Sequence, residues 1–382
     1  MRRTNSIGVV LAAWCGVAIC GATGFAQEAA APKGQPAEQV RPEDQTSENT
    51  PALKRILERR PEADANKDGI LTRQEAQAAR RAAEENAGNA GNTDADSRKK
   101  TRASAERVTP TQADVAYGPH QRNVLDFWQA KSDAPTPLFV WIHGGGFRGG
   151  DKNSIPADLL KGCLDAGISC ASINYRLTDT APYPAQMLDS ARAIQFLRSK
   201  AKEWNLDPNR FAAGGGSAGS GISQWLGFRN DLADPKSEDP IARQSTRLTC
   251  VLPINMQSTY DPRDIGKIVP GKAYTHPALV PFFGRPEGWD WDTAEIDSQL
   301  DKLLKEASPI NHLTKDDPPA YVLAYAGAES PNNIHHPNFA RHLKEAMDKL
   351  GIECVLHMDK DFESMSAAHA DMVEFLKKQF KM

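Results

Sequence analysis

The chain has 382 residues, 40% of them apolar and 25% charged, with a formal net charge of −3 at neutral pH. Such a length holds one large domain or two smaller ones around an ordinary buried core. The near-neutral balance, with no basic block interleaved with aromatics, argues against a nucleic-acid partner.

The first element in the chain lies outside any fold. MRRTN followed by SIGVVLAAWCGVAICGATGFA has a positive start, an apolar run and small residues at its end. This pattern predicts a secretory signal peptide over residues 1–26, cut after Ala26. An uncleaved anchor is the competing reading, because the apolar run approaches the lower length that spans a bilayer. No later stretch is long and apolar enough to cross. The expectation is therefore an exported protein, periplasmic or extracellular, with no stable membrane span once the signal is removed. Cleavage leaves Cys163, Cys170, Cys250 and Cys354, an even number that permits disulfides. Three of the four lie in or beside apolar runs, which favours buried thiols, and none has C-x-x-C spacing.

Residues 27–50, rich in Ala, Pro, Glu and Gln without apolar periodicity, predict a solvated linker. Residues 51–87 then read as two short helices around DANKDGILTRQE, Asp64 to Glu75. That segment resembles the calcium loop of the EF-hand family through all twelve positions. Asp64, Asn66, Asp68 and Glu75 would supply side-chain oxygens, Ile70 its carbonyl, and Thr72 a direct or water-mediated contact. Gly69 stands where such a loop turns sharply. The resemblance implies a Ca²⁺ site that plays no part in catalysis; the plainer alternative is a polar loop between helices. Pro61 near the end of the entering helix and the lack of a second loop to pair with both depart from the family. The partner of such a lone module is not specified. Residues 88–108 form a second linker, whose basic RKKTR run reads as solvated.

From residue 109 to 382 apolar strands alternate with helical periods, the signature of an α/β sheet. VAYGPHQRNVLDFWQA predicts a hairpin; PLFVWIHG, GISCASINYRL, RFAAGG, LTCVLPIN, PAYVLAYAG and IECVLHM predict buried strands. SIPADLLKGCLDA has the length of a crossover helix. Between Pro184 and Asn205, Met187, Ala191, Ile194, Leu197, Ala201 and Trp204 recur at helical spacing and place one apolar face on the sheet. FARHLKEAMDKLG and HADMVEFLKKQF close the helix set. The Pro-, Gly- and aromatic-rich interval at about 257–305 predicts a small cap, with Phe282, Phe283, Trp289 and Trp291 forming its core or lining a pocket.

Two motifs carry chemistry. Gly215, Gly216, Ser217, Ala218 and Gly219 fit G-x-S-x-G at a strand-to-helix turn, where small residues allow a sharp bend that presents a hydroxyl. Upstream, PLFVWIHGGGF ends in His143, Gly144, Gly145 and Gly146, whose backbone N–H groups can meet an oxyanion. With WIHGGGFRGGDK, SINYRLTDTAPYPAQMLDSARAIQFL, WNLDPNRFAAGGGSAGS and ASPINHLTKDDPPAYVL in order, the 109–382 block resembles the α/β-hydrolase superfamily, in its HGGG-type esterase and lipase branch. That branch includes carboxylesterases and feruloyl and acetylxylan esterases.

The resemblance implies a mostly parallel sheet with helices on both faces and a serine carboxylic-ester hydrolase acting on acyl or aryl esters, polysaccharide-linked ones included. It implies Ser217 as nucleophile and an oxyanion hole from Gly144, Gly145 and Ala218. His143 would orient that loop. The base is expected after the last strand, at His369, while His357 reads as packed and His335 and His336 follow the wrong strand. The acid is expected after PAYVLAYAG, where Glu329 is the only carboxylate; Asp361 and Asp261 stand as alternatives. The family's Gly-His context and its Asp are both missing, and Gly216 replaces a bulkier polar residue. A binding protein that has kept only the hydrolase shell is thus the competing function, and a serine peptidase a third.

Overall fold

A computed structural model describes residues 46–48, 51–59, 61–72, 75–76 and 108–382. The signal peptide, nearly all of both linkers and the second helix of the 51–87 segment beyond Ala76 lie outside the described residues. The described residues fall into two units, divided between positions 103 and 104.

The first unit contains helix α1 (Pro51–Arg59) and the loop from Asp64. Leu53, Ala63 and Leu71 form a small buried cluster, with Leu57 and Ala76 packed on it. The loop edge is paired: Thr46 bridges Thr72, Ser47 N–H donates to the Leu71 carbonyl at 2.8 Å, and Leu71 N–H donates to Ser47 Oγ at 2.9 Å. A short upstream segment therefore pairs with this edge of the loop, a contact invisible to a search for repeated motifs.

The second unit is an eight-stranded sheet in the order β1-β2-β4-β3-β5-β6-β7-β8. Its strands are β1 (Gln112–Ala116), β2 (Val124–Trp128), β3 (Thr136–Ile142), β4 (Ser169–Ile173), β5 (Leu206–Gly216), β6 (Cys250–Ile254), β7 (Ala320–Ala324) and β8 (Cys354–Met358). β1 and β2 form the expected hairpin and β2 runs antiparallel to β4; every other pairing is parallel. β3, β4, β6 and β7 are buried at every position, which explains why their sequences are continuous apolar runs instead of alternating ones.

Two layers of helix cover this sheet. Helix α2 (Ala157–Asp165) packs against the C-terminal helix α8 (Met365–Phe380), both over a cluster that includes Phe139, Cys163, Cys170, Leu252 and Leu376. On the other face lie α3 (Ala185–Ser199) and α4 (Ala218–Phe228). All six periodic residues from Met187 to Trp204 are buried, although the helix stops at Ser199 and a turn delivers Ala201 and Trp204. Cys163, Cys170, Cys250 and Cys354, the cysteines among the described residues, are buried free thiols. Among the described residues no helix is long and apolar enough to cross a membrane.

The 257–305 segment is folded from helix α5 (Pro262–Ile268), short turns and helix α6 (Ser298–Ala307). Phe282, Phe283 and Trp291 are buried within the main core, and Trp289 packs partly buried against it. The aromatics thus serve packing. This segment is tied to the loop between β7 and helix α7 (Asn338–Lys349), and to the first residue of that helix, by four hydrogen bonds. Gln257 Nε2 donates to the Ile334 carbonyl at 2.9 Å, Asn332 N–H to the Pro270 carbonyl at 2.9 Å, Lys272 N–H to Asn332 Oδ1 at 2.6 Å, and Asn338 Nδ2 to the Ile268 carbonyl at 2.8 Å.

Candidate active site

β5 ends at Gly216 and α4 begins at Ala218, so the whole reversal falls on Ser217, which holds φ at 52°. A non-glycine residue there is strained, and strain of this kind persists only where its surroundings fix it. Ser217 N–H donates to the Ile254 carbonyl at the end of β6, at 3.0 Å. The flanking glycines are required by close approach. A β-carbon on Gly219 would lie 1.9 Å from the Ile142 carbonyl oxygen, and one on Gly215 would lie 2.0 Å from the same atom. Gly216, by contrast, has open space where its side chain would be.

The HGGG loop leaves β3 beside this bend. A β-carbon on Gly144 would lie 3.4 Å from Ser217 Cβ, which places the loop against the serine. Gly145 and Gly146 adopt φ of 104° and 59°. His143 is fully buried, stacks on Tyr175 with ring centroids 4.2 Å apart, and places Nδ1 2.7 Å from the Gly144 carbonyl. Arg122 donates to His143 Nε2 at 3.1 Å, to the Gly150 carbonyl at 3.0 Å and to the Tyr175 carbonyl at 2.8 Å. Since Arg122 can only donate, His143 Nε2 is the acceptor and Nδ1 carries the proton given to Gly144. Burial pushes the His143 pKa down to about 4, with the Arg122 charge adding to it, so the ring is neutral. It is a structural post for the loop, as its sequence position suggests. Among the described residues no acceptor takes the backbone N–H of Gly144, Gly145 or Ala218.

The partner of the serine differs from the expected one. Ser217 Oγ lies 2.8 Å from Nε2 of His335, on the loop between β7 and α7. His369 sits inside α8 instead, with Nδ1 2.9 Å from Asp158 Oδ2, and the same carboxylate accepts from Ser366 at 2.7 Å. That cluster joins α2 to α8, so the structure does not bring His369 to Ser217. The expectation followed the chain order of the resemblance, and it discarded His335 for following the wrong strand. β7 is separated from β5 only by β6, which lets the loop leaving β7 reach the bend. A signal was present: two adjacent histidines in an irregular Asn- and Pro-rich loop at the active edge of a parallel sheet.

No expected acid reaches His335. Glu329 is exposed and paired with Arg341 at 2.9 Å, and its charge acts on His336, the neighbouring ring. Asp261 caps α5 and pairs with Arg263. Asp361 accepts from Met358 N–H at 2.8 Å beyond β8. His335 is anchored through its backbone, whose N–H donates to Asn333 Oδ1 at 2.9 Å. Burial, and then the nearby His276, lower its pKa below the ordinary value of 6.5. The imidazole is thus neutral at neutral pH, the state in which Nε2 can accept a hydroxyl proton.

The 64–75 loop has the donor chemistry that a hard divalent cation needs. Asp64 is buried and accepts from the Lys67 and Gly69 amides, at 2.9 and 2.8 Å. Gly69, at φ 84°, makes the turn. Glu75 folds back to accept from Thr72 N–H and Oγ1, at 3.0 and 2.7 Å. Hydrogen bonds from Thr72, first its backbone and then its side chain, hold the Glu75 carboxyl below its usual range. Asn66, Asp68 and the Ile70 carbonyl complete an all-oxygen set. In this arrangement the acidic side chains are engaged with loop amides, and among the described residues no three His, Cys, Asp or Glu side chains are grouped to share a metal.

The sheet order, the bend at Ser217 and the loop beside it define the α/β-hydrolase fold. Solved structures agree on that fold. A carbohydrate esterase from gut microbiota, in truncated form, matches with a TM-score of 0.59 at 20% identity, over 73% of this chain and 99% of that one. An acetyl ester-xyloside bifunctional hydrolase from Caldicellulosiruptor lactoaceticus matches with a TM-score of 0.57 at 20% identity, over 71% and 97%.

Within that class the chain belongs to the BD-FAE family, whose model matches residues 125–328, more than half of its length. Curated relatives from Mycobacterium tuberculosis include a probable carboxylic ester hydrolase, LipM, 28% identical over 55% of this chain and 46% of that protein. The esterase LipQ is 26% identical over 57% and 49%. The matched region thus spans about half the length of these two relatives.

Proposed function

We propose that the protein is an exported serine esterase that cleaves carboxylic esters of small molecules or carbohydrates, using Ser217 as nucleophile and His335 as base. The observation that carries this reading is the 2.8 Å contact between Ser217 Oγ and His335 Nε2, beside backbone amides from which no group among the described residues accepts. His335 takes the hydroxyl proton as Ser217 Oγ attacks the carbonyl carbon. The resulting oxyanion is met by the amides of Ala218, Gly144 and Gly145, and Arg122 adds positive charge behind that loop. Collapse breaks the ester bond, and the imidazolium returns its proton to the departing alkoxide. Water, deprotonated by the same ring, then cleaves the acyl-enzyme. Names borne by the relatives and structural neighbours, carboxylic ester hydrolase and carbohydrate esterase among them, support this chemistry.

The leader over residues 1–26 supports export. The all-oxygen 64–75 loop supports Ca²⁺ binding by Asp64, Asn66, Asp68, Ile70, Thr72 and Glu75, with no part in the reaction, since amide donors require no metal. One observation favours the second reading, a hydrolase fold kept for binding: no carboxylate contacts His335 among the described residues. A fluorophosphonate probe separates the two. Labelling of wild type but not of Ser217→Ala supports the esterase, and folded wild type that stays unlabelled refutes it.

A further inference from the structure

The turn that closes the HGGG loop holds a residue poorly suited to it. Arg148 N–H donates to the Gly145 carbonyl at 3.0 Å, so Gly146 and Phe147 are its two central residues, with φ of 59° and 60°. Turns with both central φ values positive are built from Gly, Asn and Asp, and a bulky side chain there is strained. Such strain persists only where neighbouring groups impose it.

The neighbours grip Phe147 from two directions. Its carbonyl accepts from Thr178 N–H, in the loop after β4, at 2.9 Å. Its buried ring stacks on Phe282 of the 257–305 segment, with centroids 4.1 Å apart and planes 16° from parallel, and stands edge-on to Tyr260 at 5.6 Å. Phe282 is itself fixed: its carbonyl accepts from Tyr183 N–H at 2.8 Å, and its ring meets Phe283 at 5.0 Å and Tyr183 at 5.6 Å. The same segment touches the loop again at Ala278, whose Cβ would lie 3.1 Å from a β-carbon on Gly146.

The gripped turn lies against the reacting serine. A β-carbon on Gly144 would lie 2.7 Å from the Gly216 carbonyl oxygen and 3.4 Å from Ser217 Cβ. On the other side of the rings, Tyr260 packs on the first turn of α4, where a β-carbon on Gly221 would lie 1.7 Å from its hydroxyl oxygen. The stacked rings therefore join the loop that bears the Gly144 and Gly145 amides to the helix that bears the Ala218 amide.

We propose that Phe282 is a positioning residue for ester cleavage: its stack on Phe147 holds the strained turn, and the turn aims the Gly144 and Gly145 amides at the oxyanion formed when Ser217 attacks. This rests on the esterase reading and adds to it a residue that touches no reacting atom. Without the stack, Phe147 returns to negative φ, the peptide between Gly146 and Phe147 rotates, and the turn from Gly145 to Arg148 opens. Displaced amides fail the tetrahedral intermediate and leave the ground-state ester unaffected, so the loss falls on kcat and not on KM.

Initial rates with p-nitrophenyl acetate on the full chain test this, with circular dichroism to confirm that each variant is folded. Phe282→Leu keeps apolar volume and removes the flat ring; it should lower kcat by about tenfold or more and change KM by less than about twofold. Phe147→Gly takes a φ near 60° without any stack, so its kcat should exceed that of Phe147→Ala by about threefold or more. Adding Phe282→Leu to Phe147→Gly should lower kcat by less than about twofold further, because the strain it acts on is gone. An unchanged kcat in Phe282→Leu, a loss carried by KM, or full additivity with Phe147→Gly overturns the proposal. Where Phe282→Leu does not fold, the order of the two Phe147 variants decides, and an equal or reversed order overturns it. If folded wild type neither hydrolyses the ester nor takes a fluorophosphonate, the esterase reading fails separately. Hydrogen exchange then decides the held turn: faster exchange over residues 144–148 in Phe147→Ala than in Phe147→Gly sustains it, and equal or slower exchange removes it.

Discussion

At the scale of single residues, the pair Ser217 and His335 separates from the histidine that chain order pointed to. His335→Ala should lower kcat by a factor of about 10³ or more, as expected when a general base is lost, and Ser217→Ala comparably. His369→Ala should retain turnover and instead lower stability by about 1 kcal/mol, because it frees Asp158 at a helix contact. Denaturant titration beside initial-rate kinetics reads both. The His335 pKa lies below 6.5, depressed by burial and then by His276. A base whose folded value is lowered keeps its active, neutral form above that value and loses it as pH falls through it. The acid limb of kcat/KM should therefore lie below pH 6.5, and His276→Ala should move it upward. The bend at Ser217 was legible because a strained turn demands a local pattern of glycines. The histidine that meets Ser217 was not, since nothing in a sequence says which loop crosses a neighbouring strand to reach the bend, and Glu329 is held by Arg341 on the next helix.

At the scale of elements, apolar runs and helical spacing revealed the strands and α3 because burial on one or both faces is a local requirement. The bend itself depends on how closely α4 crosses the end of β3. Gly219→Ala brings a β-carbon to 1.9 Å from the Ile142 carbonyl oxygen. That clash is with backbone, so the substitution should cost about 1–3 kcal/mol and misplace Ser217. A β-carbon at Gly216 meets nothing within 4 Å, so Gly216→Ala should cost under about 0.5 kcal/mol. Thermal melts of the two variants, with probe labelling of each, distinguish a crowded position from an open one. The upstream pairing of Thr46 and Ser47 with Leu71 and Thr72 escaped the sequence because a bare three-residue edge carries no motif.

At the scale of the whole molecule, the two units are expected to serve separate ends. Chelation should leave kcat/KM of the esterase unaltered, whereas Glu75→Gln should weaken Ca²⁺ binding by roughly tenfold or more, since the twelfth position of such a loop supplies two oxygens. Calorimetry on the full chain and assays with and without chelator check the two halves of that statement. A further consequence comes from the four hydrogen bonds that fasten the β7–α7 loop and the start of α7 to the 257–305 segment. The His335 imidazole rides on the loop that these bonds tie down. Displacing the 257–305 segment should therefore carry the ring away from the Ser217 hydroxyl, and its return should restore the contact, so that seating a packed segment and aligning a proton acceptor become one adjustment.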